Sequence, residues 1–376
     1  MPTHVPAFTI GVEEEYQIID PLTRALSSSA GHLVPLLQAT LGERVQFEIH
    51  LSQIEIATSV CDSLAELRQE LMYLRNSVIA SAQQEGLLIA AAGTHPFSTW
   101  HDQQFTPQSR YMSLEQNYQQ LAREQSIFGC HVHVGIDDRE LALQTLNRVR
   151  NWVSTLIALS ANSPFWLGAD TGYASYRTEI WRRWPLAGLP ATFASPVEFE
   201  ELVQTVVATG MVEDASKIYW DVRPSLYYPT LELRAMDVTL TIDEAVMMAG
   251  LVRALVRTCY EQALADEPFP VMRPELMNVA HWFAARYGLS DRLMNVATMH
   301  AIPASEQVAN LLAFVRPALE ANGDWYEIVQ LVECQLMQGN GAMRQRAIYN
   351  RTGNLEDVVD CAVEETRCGG LVTQVP

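Results

Sequence analysis

The sequence has little positive charge: its 376 residues carry 25 Lys and Arg against 44 Asp and Glu, for a formal net charge of −19. No dense basic stripe is available to neutralise a phosphodiester backbone, which argues against nucleic acid as a partner. Only local basic spots occur, at Arg182-Arg183 and at Arg344 with Arg346, and these suit a small phosphate ligand better than a duplex. Long apolar runs are also missing. The most apolar stretches, 152–159 and 245–256, are too short or carry Arg253 inside them, so no membrane span is expected. A basic segment followed by an apolar one is absent from the N-terminus, so the chain reads as cytoplasmic without a signal peptide. The six cysteines contain no C-x-x-C pair, which points to reduced thiols and not to a disulfide frame or zinc knuckle. G-x-x-x-x-G-K-[ST], a strand–G-x-G-x-x-G–helix unit and G-x-S-x-G are all missing. A P-loop, a Rossmann turn and a serine-hydrolase elbow are therefore disfavoured.

What is present is carboxylate on strands. In Ile10–Ile18 the period-2 alternation sends Glu13, Glu15 and Gln17 to one face and Val12, Tyr16 and Ile18 to the other. Glu14 is the exception: it falls on the apolar side, where a charge needs compensation, and an arginine of unspecified position is the expected partner. The same pattern recurs in 45–51 with Glu48 and His50, in 53–57 with Glu55, in 127–136 with His131 and His133, and in 230–236 with Glu232 and Arg234. An antiparallel sheet can bury one face and present the other to ligand. Five carboxylates gathered on such a face repel one another unless a cation sits among them, and hard divalent ions prefer oxygen donors. Read singly, each of these residues suits an ordinary surface strand; together they predict a metal-loaded sheet face. Arg177, Arg234, Arg344 and Arg346 are candidate anion clamps, because a guanidinium pairs bidentately with carboxylate or phosphate. Trp181 and Trp184 read as loop-packing residues, and Cys130 as a core thiol.

The remaining signals describe an α+β chain without repeats or an obvious linker. Helices are expected at 32–41, 63–85 with Ser63 as cap, 111–123, 138–160 and 196–208, with further strands at 87–92 and 217–228. Residues 162–195, rich in Gly, Pro, Trp and Ser, are expected to form a long functional loop. From about residue 242 onward nearly everything reads as helical. The whole chain, 1–376, is expected to form one domain. The long helices at 63–85 and 138–160 offer a surface on which a homodimer could form.

Several ordered motifs are similar to one family. Gly11-Val-Glu-Glu-Glu-Tyr-Gln, Gly129-Cys-His-Val-His-Val-Gly135 and Leu231-Glu-Leu-Arg-Ala-Met-Asp237 resemble the glutamate–cysteine ligase family 2. So do Ala92–Phe97, Ser175-Tyr-Arg177, Tyr219-Trp-Asp221 and Arg344-Gln-Arg346, which carries the resemblance over nearly the whole chain. It implies a fold like that of glutamine synthetase and the guanido kinases. This is a curved, mainly antiparallel sheet with the active site on its open face, helices on the other face and a helical C-terminal part. It further implies an ATP-dependent, carbon–nitrogen bond-forming ligase using Mg²⁺, with Mn²⁺ as a substitute. Glutamate is the expected carboxylate and cysteine or another small amine the acceptor. By the same resemblance Glu13, Glu15, Glu48, Glu55, His131 and Glu232 are the metal ligands. Arg234, Arg177 and His131 would serve the reaction, and His133, Arg344 and Arg346 would contact the cofactor. The residues alone leave other functions open. One is a metal-dependent amidase or hydrolase on the same Glu/His face without ATP. The others are a kinase that stops at phosphoryl transfer and a protein that binds without turnover.

Overall fold

The computed structural model describes residues 7–368. Seven strands build its main sheet: β1 (Ile10–Ile19), β2 (Val45–Phe47), β3 (Gln53–Ala57), β4 (Leu88–Ala90), β5 (Gly129–Gly135), β6 (Val222–Pro224) and β7 (Thr230–Asp237). Their order is β2-β3-β1-β5-β7-β6, with β4 added at the far end of β1, and every pairing is antiparallel. The sheet is open and has two unlike faces. Val12, Tyr16, Ile18, Ile54, Ile56, Cys130, Val132, Val134, Leu231 and Leu233 are all buried in the main core. Helices Leu64–Gln84, Arg139–Val149 and Ile242–Leu264 supply the opposing layer.

Ile242–Leu264 is the central helix. Every residue from Ile242 to Val256 is buried, so it is packed on all sides rather than along one stripe. Its start is fixed by a capping box in which Thr241 and Glu244 satisfy each other's backbone N–H groups. Arg75, on helix Leu64–Gln84, is the partner that Glu14 lacked in the sequence. Its Nη2 lies 2.5 Å from Glu14 Oε1, and its Nη1 donates to the Leu240 carbonyl at 2.8 Å. The Tyr16 hydroxyl donates to the second Glu14 oxygen. Both charges are fully buried, so this knot joins β1, the helix and the turn into the central helix through bonds that leave few polar atoms unsatisfied.

Several expected boundaries move. The strand expected over 45–51 stops at Phe47, because residues 49–51 pair with 104–106 instead of with a ladder strand: Thr106 N donates to Ile49 O and Leu51 N to Gln104 O. His50 therefore leaves the polar face on which it was expected with Glu48 and lies buried against Phe105, ring centroids 4.8 Å apart. Of 217–228 only Val222–Pro224 is strand. The helix expected over 111–123 breaks at Gln119, whose φ of 51° splits it into Ser109–Tyr118 and Gln120–Arg123. The helix over 138–160 tightens into a 3₁₀ turn at Arg150–Trp152, and Asp138 caps its start by accepting from the Leu141 N–H. Residues 162–195 are not a structureless loop: they hold a small hairpin, Phe165–Trp166 with Ala169–Asp170, and a helix, Tyr176–Trp181, capped by Ser175. After the central helix come five more helices, from Pro274 to Cys368, and one hairpin. Among the described residues no helix is long and apolar enough to cross a membrane.

Candidate active site

Sheet register sets the polar residues opposite one another. Glu15 faces Glu55 across β1–β3, Glu13 faces His131 across β1–β5, His133 faces Glu232 across β5–β7, and Glu232 faces Arg223 across β7–β6. Like charges directly opposite on a sheet destabilise it, so the Glu15–Glu55 pair points to a cation. Single donor atoms of Glu13, His131 and Glu232 lie within 4.8 Å of one another, as do those of Glu15, Glu55 and His131. Two candidate metal positions thus share one imidazole. His131 Nδ1 is 2.9 Å from Glu13 Oε2, and His133 Nε2 is 3.4 Å from Glu13 Oε1. The donors are chiefly carboxylates, with one histidine common to both positions, and this set fits Mg²⁺ or Mn²⁺.

The electrostatics carry the same message. Burial, with repulsion from Glu48, lifts Glu15 to about 8 against the pull of Arg177, the Gly129 N–H and Arg234. Burial and the charges of Glu13, Glu48 and Glu15 raise Glu55 well above the usual carboxylate range. Burial raises Glu48 too. Glu13 behaves oppositely: burial resists its charge, but hydrogen bonds to His131 and His133 outweigh that and hold it well below normal. Burial and the nearby Arg234 push His131 down to about 4, which keeps the imidazole neutral, the form that ligates metals. Without a cation, then, part of this cluster holds protons in place of metal.

Guanidiniums border the carboxylates. Glu232 is held between Arg223, whose Nε donates at 2.8 Å, and Arg234, and its carboxyl is depressed by both despite burial. Arg223 was not singled out in the sequence, although its alternation two residues from Asp221 on a predicted strand was a usable signal. Arg177 is buried on this same face, at the edge of the pocket, with Nη1 and Nη2 reaching the Ala235 and Arg234 carbonyls at 3.4 and 3.3 Å. It lies so close over Gly129 that a Cβ there would sit 2.3 Å from Nη2. The Trp181 ring lies under both cations, 5.8 Å from Arg177 Cζ and 5.9 Å from Arg234 Cζ. A pocket opens beside Glu15, Glu48, His131, Arg177 and Arg234; its wall includes Arg110, Tyr111, Gln53, Gln125, Trp181, Trp184 and Tyr219. The two tryptophans are therefore pocket residues, and Arg110, Gln53 and Gln125 join the site unannounced by any local motif.

Arg344 and Arg346 are placed elsewhere. Arg344 is bound to Glu244 at 3.0 Å and Glu365 at 2.9 Å, tying the last helices to the capping box of the central one. Arg346 pairs with Asp170 at 2.6 Å and donates to the Tyr173 carbonyl. Neither lines the pocket.

An open antiparallel sheet with a carboxylate-and-arginine face defines a class of site, one suited to enzymes that handle phosphate. The chain belongs to the glutamate–cysteine ligase family 2, whose model matches residues 9–361. A relative from Rhodopirellula baltica, provisionally named glutamate–cysteine ligase 2, is 41% identical over 363 residues, covering 95% of this chain and 96% of its own. A protein of the same provisional name from Solibacter usitatus is 38% identical over 365 residues, covering 97% and 94%. Among solved structures, the fold is shared with the glutamate–cysteine ligase of Francisella tularensis in complex with AMP. The TM-score is 0.72 at 12% identity, covering 97% of this chain and 90% of that one. It is shared as well with a bifunctional glutathione synthetase of Pasteurella multocida, with a TM-score of 0.73 at 15% identity, over 96% of this chain and 52% of that one. The chain is accordingly an ATP-dependent ligase of the carboxylate–amine type.

Proposed function

We propose that the chain, acting as one catalytic unit, joins the γ-carboxylate of glutamate to a small amine through an acyl phosphate. Cysteine is one candidate amine. The observation that carries this reading is the row of opposed Glu15–Glu55, Glu13–His131 and His133–Glu232 pairs, bounded by Arg234 and Arg223. A carboxylate does not react with an amine at neutral pH, because its leaving group would be oxide. Attack of a carboxylate oxygen on the terminal phosphorus of ATP releases ADP and converts that oxygen into part of a phosphate leaving group. The amine then adds to the acyl carbon, phosphate departs and the nitrogen loses a proton.

Divalent ions held by Glu13, His131 and Glu232 and by Glu15, Glu55 and His131 would neutralise phosphate charge. The chain's own residues do the rest. Arg234, kept cationic by Glu232, Glu13 and Glu15 despite burial, is placed to stabilise charge on the transferring group. Arg177 fixes the main chain of Arg234 and Ala235 and lends charge to the Glu15 side of the face. Arg110, on the pocket wall, is suited to a substrate carboxylate. The test is ADP release with Mg²⁺ and glutamate across a panel of amines and amino acids, with products weighed by mass spectrometry. A γ-glutamyl amide formed in step with ADP supports the ligase and names its acceptor. ADP without amide favours the kinase reading, and amide hydrolysis without ATP favours the amidase.

A further inference from the structure

A second cavity, of about 510 Å³, lies in the helical part of the molecule, remote from the sheet-face residues. Its walls come from the 3₁₀ turn Arg150–Trp152 and the helix before it, the end of the central helix, the Pro268-Phe269-Pro270 segment and helix Ala304–Asn322. A volume of this size is typical of small-molecule sites. Three observations give it a chemistry. Arg148 is buried, and its Nη atoms are spent on the Gln144 and Glu267 carbonyls at 2.9 and 2.7 Å. Its Nε has no partner, and among the described residues the guanidinium forms no ion pair; Asp266 and Glu267 attract it only from exposed positions. Gln307 is completely buried. Its Nε2 donates to Thr155 Oγ1 at 3.2 Å, while its Oε1 accepts nothing. The remaining walls are flat and apolar: Trp152 stacks on Phe314 with centroids 4.9 Å apart, and Phe269 lies 4.5 Å from Arg148 Cζ.

An uncompensated guanidinium and an orphaned amide oxygen are costly to bury unless something meets them. One free N–H on one cation suits a single carboxylate and not a polyphosphate, which needs several positive groups. An acceptor oxygen asks for a hydroxyl or N–H on the ligand, and the stacked aromatic walls ask for a ring between the two.

We propose that this cavity is a second binding site, separate from the catalytic face, for a small aromatic carboxylate that carries a hydrogen-bond donor on its ring. Arg148 meets the carboxylate, Gln307 Oε1 accepts the donor, and Trp152, Phe314 and Phe269 enclose the ring.

The probes are 4-hydroxyphenylacetate, its neutral amide and phenylacetate, titrated calorimetrically into the full chain. The acid is expected to bind about tenfold or more tightly than the amide, and more tightly than phenylacetate, which lacks the donor. Ala313→Trp fills the cavity from an exposed wall position without touching Arg148 and should abolish binding. Arg148→Met should remove the preference for acid over amide. Glu55→Gln, on the catalytic face, should bind the acid as the native protein does. Equal affinity for acid and amide, binding that survives Ala313→Trp, binding lost in Glu55→Gln, or no binding by any probe would each overturn the proposal.

Discussion

On the proposed function protons and metal compete for the same carboxylates, and that competition should be visible in stability. Glu15 titrates near 8 in the metal-free fold and Glu55 is also raised, whereas both titrate near 4.5 when unfolded. Between those values the folded chain binds more protons than the unfolded one, so stability falls as pH rises through the folded values. The buried histidines act in the opposite sense. His50, His95 and His131 are each held down to about 4, so their contribution grows with pH but is complete once pH exceeds about 6.5. The clean window is therefore pH 7 to 8, below the thiols. There Glu15 alone is worth on the order of 1 kcal/mol per pH unit, and Glu55 up to as much again. For a chain of this size each kcal/mol moves Tm by about 1–2 °C. In EDTA, Tm measured by calorimetry should drop by about 1–4 °C from pH 7 to pH 8. Saturating Mg²⁺ or Mn²⁺ should raise Tm more at pH 8 than at pH 7, because fewer protons must be displaced. Glu15→Gln should make the EDTA profile shallower, leaving only the Glu55 share of the slope. A flat profile for the native chain, or a metal effect that does not grow with pH, would refute the view that protons stand in for metal on this face.

Other perturbations follow from single contacts. Arg75→Met leaves Glu14 buried without its cation and should cost about 3–5 kcal/mol in denaturant unfolding, with loss under 1 kcal/mol counting against the knot. Glu55→Gln removes a ligand and a repelled charge together. At saturating Mg²⁺, kcat should fall by about 100-fold or more while Tm in EDTA does not drop, and near-normal turnover would sink the metal assignment. Gly129→Ala puts a methyl into the Arg177 guanidinium, so kcat should fall through displacement of Arg177 and the Glu15-bonded N–H. Unchanged kinetics would show that this close approach is not needed. Cys130 is inaccessible and its thiol is raised by burial, so a thiol reagent should leave it unmodified in the folded chain.

Period-2 alternation made the sheet face legible because each strand carries its polar residues two apart, and β1, β3, β5 and β7 then bring Glu13, Glu15, Glu55, His131, His133 and Glu232 together. What alternation could not show was which strand neighbours which, and so the Glu15–Glu55 opposition emerged only from register. Glu14 was recognisable as a misplaced charge, but Arg75 lies 61 residues away on a helix, a pairing no local pattern encodes. Glu48 kept its place near the cluster although its strand ended early, since the backbone bonds of residues 49–51 went to a distant segment. Trp181 and Trp184 looked like loop filler because the helix that aims Trp181 at two arginines is only six residues long. Arg344 and Arg346 had the charge for a phosphate, but their pairing with Glu244, Glu365 and Asp170 away from the pocket depends on how the last helices pack.

The most direct test of the central claim follows one oxygen atom. Glutamate labelled with ¹⁸O in its γ-carboxylate is turned over with ATP, Mg²⁺ and an accepted amine, and the phosphate released is weighed. An acyl phosphate predicts one labelled oxygen in phosphate per amide formed, because the carboxylate oxygen leaves with phosphorus. Phosphate without label, while amide or ADP accumulates, would contradict it.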